Sequence, residues 1–337
     1  MLNQTNTTKN TNLIKCLTLA ASFVASLSLS AIAKASEAVD AFEQENYTQA
    51  KTLFKEHSNK AEANYYLGRI ALIEKELDDA EDYLEDAVEA SPDNVDYHYW
   101  FAVMSLKQAS NASIFSAPGY VSDSKQHYQK ALTLDPQHID SMKGLVTLYV
   151  HVPAIAGGSI DKAHAMTDRL TKLDKLSGLL SRMSIYREED QNTKELEVAT
   201  DLAENFNGSA KAQSAAGFTF QKNKQYDKAI SLFVSASQLK SDDEQDSINS
   251  ALYQVGRTAV ISGKFTEQGI SALETYINLE LSAGQPSKNW ARYRLASLYN
   301  NQGDKENAKK LVSLALNETD DKSLKKRAKK MLKQLNK

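Results

Sequence analysis

Small residues recur at one fixed interval among the apolar positions of this chain. Four pairs lie 12 residues apart, namely Ala38 and Ala50, Gly68 and Ala80, Gly217 and Ala229, and Ala296 and Ala308. Bulkier apolar residues such as Leu84 and Phe233 follow at helical spacing and are expected to fill the gap between one pair and the next. Two antiparallel helices approach closely only where neither presents a bulky side chain. The pattern therefore predicts a series of helix pairs joined by short turns.

Amino-acid usage agrees with long helices. The 337 residues include only 13 glycines and 5 prolines, whereas average usage is about 7% and 5%. So few helix breakers and turn formers argue against an all-β or loop-rich fold. The single cysteine, Cys16, excludes an internal disulfide and a cysteine-based metal site.

The segment 61–94 resembles the tetratricopeptide repeat, a helix–turn–helix unit of 34 residues. It places Leu67, Gly68, Ala80 and Pro92 at positions where that family has leucine, glycine, alanine and proline. The resemblance implies an all-α fold, specifically a right-handed α-solenoid of about eight tetratricopeptide-type helix pairs with a C-terminal capping helix.

The resemblance covers most of residues 36–321. Besides 61–94, the clearest units are 210–243 and 289–321. The unit around Gly256 keeps the 12-residue interval but ends it at Gln268 instead of an alanine, with Gly269 beside it.

Two units are interrupted by uncharged insertions, one near 109–122 and the other at 151–159. Insertions in repeat proteins fall on one edge of the array and often line a binding face. The alternative is that Ile114, Phe115 and Ile155 pack back onto neighbouring helices, which is the arrangement we expect for these bulky side chains.

Residues 322–337 have the pattern of a basic amphipathic helix. Its apolar positions fall on one face and are Leu324, Ala328, Met331, Leu332 and Leu335. Seven lysines and Arg327 supply positive charge. A repeat array needs a terminal element with a polar outer side, so we expect a cap. The alternative is contact of Lys322–Lys337 with anionic lipid headgroups or an acidic partner.

Residues 1–35 have the pattern of a secretory signal peptide. They contain no acidic residue, and lysines precede an apolar, small-residue run from Leu17 to Ala33. Cleavage is expected after Ala35, with a position after Ala33 as the second choice. An uncleaved N-terminal anchor is the alternative. No later segment is apolar enough to span a bilayer, and a cysteine-free exported chain favours the bacterial periplasm.

No catalytic, cofactor-binding or metal-binding motif is present in the chain. Phosphate-binding loops, nucleophile elbows, dinucleotide-binding glycines and calcium loops are missing. The six histidines do not have the spacing of four that would place two metal ligands on one helical face. We therefore expect a protein that is not an enzyme and uses no cofactor or metal. The net charge of −3 and the predicted export argue against nucleic acid as a partner.

The resemblance implies that the first helix of each pair lines a concave groove. Counted from the matched core positions, the residues expected to face a partner there are Tyr65, Arg69, Tyr99, Lys143, Phe218, Tyr253, Arg257, Trp290 and Tyr293. Aromatic and arginine side chains dominate binding hot spots. Burial of some of them between repeats is the alternative. Lys143 is followed one turn later by Thr147, so the lysine–asparagine clamp for C-terminal carboxylates is not expected.

These features predict a non-enzymatic periplasmic scaffold or adaptor that binds a peptide or protein partner in its groove. The alternative function is an accessory subunit of a periplasmic transport system that contacts a solute or a solute-binding protein. A pocket formed by the two insertions would favour that alternative.

Overall fold

The computed structural model describes residues 36–282 and 284–337, and within them it contains α-helices, short turns and no strand. Residues 36–43 form α1. The other α-helices are α2 (Tyr47–Lys55), α3 (Lys60–Glu74), α4 (Leu77–Ala90), α5 (Val95–Asn111), α6 (Ala117–Leu134), α7 (Ile139–His151), α8 (Ile160–Leu173), α9 (Lys175–Glu188), α10 (Asn192–Asn205), α11 (Ala210–Lys222), α12 (Tyr226–Ser237), α13 (Gln245–Ser262), α14 (Thr266–Ile277), α15 (Lys288–Asn301), α16 (Lys305–Glu318) and α17 (Lys322–Leu335). Two short 3-10 helices are η1 (Ala154–Ala156) and η2 (Asp242–Glu244).

In chain order the helices form eight pairs, α1/α2 to α15/α16, and α17 follows the last pair. The predicted all-α helical-repeat fold is confirmed. The chain divides into two compact units, one ending at Met166 and the other beginning at Thr167. The predicted signal peptide, 1–35, lies outside the described residues and stays a prediction.

Short polar residues begin many of the helices. Their side-chain oxygens accept hydrogen bonds from otherwise unpaired N–H groups of the first turn, and they are Asn46, Asn59, Asn94, Asp174, Ser209, Ser287, Asp304 and Asp321. The turn inside a pair is also repeated. In five pairs the residue two positions before the second helix has a positive φ, and these residues are Glu45, Lys75, Asp190, Lys224 and Gly303.

Glycine allows close contact between the two helices of a pair. A Cβ on Gly68 would lie 2.6 Å from Cγ of Leu84, and one on Gly217 would lie 2.8 Å from Cε1 of Phe233. The small residue of the first helix therefore accommodates a bulky residue 16 positions later in the same pair. Leu84 also shares a buried cluster with Met104 of the next pair, and Phe233 shares one with Val255 of the next pair. Each bulky residue therefore also fills the space between its own pair and the next, as expected from the sequence.

The pair formed by α13 and α14 uses a different interval from the one predicted. Gln268 is exposed, whereas Gly269 is buried. A Cβ on Gly269 would lie 2.5 Å from Cβ of Ala259 and 3.6 Å from Cα of Gly256. The close contact is thus between Gly256 and Gly269. Assigning it to Gln268 was wrong because a glutamine side chain does not fit there.

The first insertion mainly lengthens helices. Helix α5 continues to Asn111, and α6 already begins at Ala117. Pro118 stands in the first turn of α6, where proline is tolerated. The expectation that Ile114, Phe115 and Ile155 pack onto neighbouring helices was wrong. Their exposed fractions are 83%, 93% and 100%.

Helix α17 packs against α15 and α16 in the second unit. Leu324, Ala328 and Leu335 are buried, whereas Lys326 and Lys330 are exposed. The apolar face of this helix therefore covers the last pair and leaves its basic residues in solvent.

Candidate partner-binding surfaces

The nine residues predicted to line a partner groove all lie on first helices of the pairs. In the first unit they are Tyr65, Arg69, Tyr99 and Lys143, and in the second unit they are Phe218, Tyr253, Arg257, Trp290 and Tyr293. Their surroundings differ between the units, and several are already engaged by neighbouring side chains.

Arg69 is enclosed by aromatic rings of its own chain. Its guanidinium carbon lies 4.4 Å from the ring centre of Phe42 and 4.7 Å from that of Trp100. Nη1 of Arg69 also donates to the hydroxyl of Tyr65 at 3.0 Å. Burial of the Tyr65 side chain is the main reason that its pKa is raised to about 12. These cation–π contacts engage the guanidinium of Arg69 within its own chain, so little of that group is accessible to a partner.

Tyr99 and Lys143 also have intramolecular partners. The ring of Tyr99 lies edge-on to Trp100 with 5.4 Å between ring centres, and at the same distance from His138. Nζ of Lys143 donates to Oδ1 of Asp140 at 2.7 Å, which compensates its charge locally. Trp100 joins Tyr99 to the Arg69 cluster, because the same indole ring lies 4.7 Å from the guanidinium carbon of Arg69.

Two of the predicted residues in the second unit have opposite accessibility. Phe218 is 37% exposed and its ring lies edge-on to buried Phe233. Tyr253 is only 6% exposed, so the prediction that it faces a partner was wrong. Its ring packs with Tyr276 and Leu295 in the core formed by α13, α14 and α15.

Arg294 was not among the predicted residues, yet it stands between two predicted aromatic rings. Its guanidinium carbon lies 5.1 Å from the ring centre of Tyr253 and 5.2 Å from that of Trp290. Arg327 of α17 approaches the same Trp290 ring at 5.9 Å. The indole Nε1 of Trp290 donates to Oδ2 of Asp321 at 2.9 Å, which fixes the ring.

Arg257 is positioned by neutral amides. Nη1 donates to Oε1 of Gln221 and, at 3.4 Å, to Oε1 of Gln254. Nε2 of Gln221 in turn donates to Oγ1 of Thr258 at 2.6 Å. This network holds the guanidinium in place without neutralising it, since amide oxygens carry no formal charge.

Three guanidinium groups thus come from three successive first helices, α13, α15 and α17. We call Arg257, Trp290, Tyr293, Arg294 and Arg327 the arginine–aromatic surface. None of its arginines forms an ion pair with a carboxylate within the part of the chain that the structure describes. Burial, and the neighbouring charges of Arg257 and Arg327, lower the pKa of Arg294 below its usual range. The surface therefore carries uncompensated positive charge.

An open cleft adjoins this surface on α17. Its volume is about 430 Å³, and Tyr293, Lys326, Arg327 and Lys330 are among its lining residues. The cleft thus extends the positive surface with the two lysine side chains.

A separate cavity lies in the first unit, where both insertions contribute to one wall. We call it the insertion cavity. Its volume is about 660 Å³, and it is lined by the end of α5, the start of α6, the end of α7 and η1. Ile114 comes from the first insertion and Ile155 from the second.

Residues 36–282 and 284–337 contain neither a candidate membrane span nor a candidate metal site. No helix there has the length and hydropathy needed to cross a membrane. No group of three or more histidine, cysteine, aspartate or glutamate side chains there is placed to hold a metal ion.

Comparison with known proteins supports the repeat assignment. Tetratricopeptide repeat family profiles match residues 36–95 and 291–318. No sequence among curated proteins matches the chain.

Solved structures share the fold at low sequence identity. Yeast Tom70 superimposes with a TM-score of 0.65 at 15% identity, over 87% of this chain and 59% of Tom70. A human IFIT1 dimer with m7Gppp-AAAA gives 0.53 at 13% identity, covering 88% and 71% of the two chains. The Cut9–Hcn1 hetero-tetramer of APC/C gives 0.51 at 13%, covering 90% and 55%. This chain therefore spans about three fifths of the length of Tom70.

The fold and these surfaces define a helical-repeat protein whose side chains present a surface for other molecules. The chain is a tetratricopeptide repeat protein. Such repeats serve in general as scaffolds for protein interaction.

Proposed function

We propose that this protein is a non-enzymatic periplasmic scaffold that binds an acidic segment of a partner protein on its arginine–aromatic surface. The observation that carries the proposal is the set of Arg257, Arg294 and Arg327, three guanidinium groups without a carboxylate partner among the described residues.

Uncompensated charge of this kind favours a negatively charged partner. Burial of Arg294 between two rings removes much of its hydration, so a carboxylate brought to it interacts more strongly than one at an exposed arginine. Arginine also binds carboxylates through two parallel hydrogen bonds. An acidic peptide would meet this cluster on α13, α15 and α17.

Trp290 and Tyr293 add apolar contact area to the charged groups. Their rings lie edge-on, with 5.9 Å between ring centres, and both are partly exposed. Such a combination of aromatic and arginine side chains is the composition of binding hot spots. A partner segment with acidic and apolar residues in alternation suits this surface better than an acidic segment alone.

The alternative function, an accessory subunit of a periplasmic transport system, is supported by a different observation. Both insertions line one cavity in the first unit, which is the arrangement expected for a protein that contacts a solute. The lining is largely apolar, so this alternative requires a solute with a large apolar part.

A binding experiment with the full chain tests the first proposal. Fluorescein-labelled hexaglutamate and hexaglutamine are titrated and followed by fluorescence anisotropy. We expect hexaglutamate to bind and hexaglutamine not to bind. Affinity should fall as ionic strength rises through about 0.15 M, because exposed charges are then screened.

Two double variants distinguish the effect of the arginine–aromatic surface on binding from the effect of net charge. Arg294→Gln with Arg327→Gln should weaken hexaglutamate binding about tenfold or more. Lys310→Gln with Lys329→Gln removes the same charge from exposed positions on α16 and α17 and should leave the affinity within about twofold of the starting protein. Equal weakening by both double variants would contradict the proposal.

A further inference from the structure

The insertion cavity is bordered by two apolar segments that carry no formal charge. Residues 108–122 and 144–160 contain no lysine, arginine, aspartate or glutamate, although a quarter of the whole chain is charged. Leu106 and Val121 line the wall on one side, and Leu148 and Val152 on the other. A ligand held here is therefore surrounded by hydrocarbon.

Polar side chains on the cavity wall already interact with other groups of the protein. Oγ of Ser110 donates to the carbonyl of Leu106 at 3.0 Å, and Oγ1 of Thr147 donates to the carbonyl of Lys143 at 2.9 Å. His151 also has an interaction partner. An extended peptide would bring N–H and C=O groups that each need a hydrogen-bond partner, and these side chains have no free donor for them.

The rim differs from the wall. Ile114 and Ile155 stand at the mouth almost fully exposed. Lys125 of α6 reaches the loop at its edge, because a Cβ on Gly157 would lie 3.8 Å from Nζ of Lys125. Gly157 directly follows the lining residue Ala156. Lys125 forms no ion pair within the described residues. Its positive charge is therefore available to an anionic group at the edge of the apolar cavity.

We propose that the insertion cavity binds a fatty acid. The hydrocarbon chain lies between α5, α6, α7 and η1, and the carboxylate faces Lys125 at the edge. A volume of about 660 Å³ is within the range of about 300–1,000 Å³ typical of small-molecule sites. A chain without polar groups matches the largely hydrocarbon wall, and an anionic head matches the charge of Lys125 at the rim.

This inference is independent of the arginine–aromatic surface. Arg294 and Arg327 belong to the second unit, and the cavity is formed within the first. The double variant of Arg294 and Arg327 should therefore bind a fatty acid as the unaltered protein does, so failure of one proposal leaves the other standing.

Titration of the full chain with cis-parinaric acid, a fluorescent fatty acid, tests the proposal. We expect saturable binding of one probe per chain. Thr147→Glu places a carboxylate on the wall at an exposed helical position and should weaken binding about tenfold or more. Thr133→Glu is the matched control, since Thr133 is also exposed and donates to the carbonyl four residues before it. It should bind the probe normally.

Competition then assigns the head group. Palmitic acid and hexadecanol are compared as competitors of the probe. Lys125→Gln should weaken displacement by palmitic acid and leave displacement by hexadecanol unchanged. Absence of saturable probe binding, or equal binding by the Thr147→Glu and Thr133→Glu variants, would overturn the site. Equal effects of Lys125→Gln on both competitors would overturn the assignment of a carboxylate head.

Discussion

His98 and His127 face each other through their Nδ1 atoms at 3.0 Å, between α5 and α6. Nε2 of His98 lies 2.8 Å from the carbonyl oxygen of Pro92 and donates to it, so Nδ1 of His98 is the acceptor. His127 then donates through Nδ1–H and stacks on Phe101 with 4.1 Å between ring centres. The contact requires at least one of the two rings to be neutral, because two imidazolium groups could offer only donors to each other.

The histidine pair predicts acid sensitivity. Burial, and then the charge of His98, lower the pKa of His127 to about 4, whereas an unfolded histidine titrates near pH 6.5. The unfolded chain therefore binds a proton at a pH where the folded chain does not, and stability falls as pH drops from about 6.5 to about 4. Because His127 is only partly buried and solvent screens its charge, the loss from this group between about pH 7 and about pH 5 is about 1 kcal/mol.

Urea unfolding at the two pH values measures this effect. His127→Asn keeps a side-chain donor but does not titrate, so its free energy of unfolding should change less with pH by about 1 kcal/mol. A pH dependence identical to that of the unaltered protein would show that the pair does not titrate as described.

Close packing of the two helices of a pair predicts that a methyl group added at their contact destabilises the protein. Gly217→Ala would bring a methyl group within 2.8 Å of Phe233 and should destabilise the protein by about 1–3 kcal/mol. Gly119 is also helical, but nothing lies within 4 Å of the place its Cβ would take. Gly119→Ala should therefore be neutral or stabilise by up to about 1 kcal/mol. Similar thermal shifts for both variants would contradict this packing.

Glu195 predicts the cost of removing a buried carboxylate that joins three helices. Its carboxylate is fully buried and accepts from Arg187 at 2.8 Å and Lys222 at 2.9 Å, which joins α9, α10 and α11. Burial raises the pKa of Glu195, but the hydrogen bonds from Lys222 and Arg187 outweigh it and the pKa is lowered. Arg187 and Lys222 are about half exposed, so water can solvate them once the carboxylate is gone, and Glu195→Gln should cost about 1–3 kcal/mol.

A variant of the same helix controls for the loss of one acidic residue. Glu197 is exposed on α10, and Glu197→Gln should change the free energy of unfolding by less than about 0.5 kcal/mol. The account of Glu195 fails if chemical denaturation gives equal values for the two variants.

The predicted signal peptide can be tested by mass spectrometry of the protein purified from a producing bacterium. Cleavage after Ala35 gives a chain that begins at Ser36 in the periplasmic fraction. A chain beginning at Lys34 would favour the second cleavage position. An intact chain in the membrane fraction would contradict cleavage and favour the anchor.

Local spacing was enough to predict the helix pairs. Small residues 12 positions apart marked pairs such as α3/α4 and α11/α12, because the close contact of two helices depends on the residues at that contact. The same reasoning ended the interval at Gln268 instead of at the adjacent Gly269, since α13 and α14 meet one residue later than in the other pairs. It also missed the exposure of Phe115, because apolar character alone does not tell whether a covering surface is present.

The candidate site was harder to predict for a physical reason. Tyr253 and Arg294 are in contact although they lie on different first helices, and the spacing of repeats does not fix which side chains meet across helices. A usable signal was nevertheless present. Tyr65 with Arg69, Tyr253 with Arg257, and Trp290 with Arg294 each place an aromatic residue four positions before an arginine, which puts both on one helical face.

Site-specific photocrosslinking in the producing cell tests the central claim most directly. Benzoylphenylalanine replaces Tyr293 on the arginine–aromatic surface or, as a control, Lys310 on the second helix α16. We predict a crosslinked partner from position 293 that disappears when Arg294→Gln and Arg327→Gln are added, and none from position 310. The same crosslinks from both positions, or a crosslink at 293 that survives loss of the two arginines, would contradict the account.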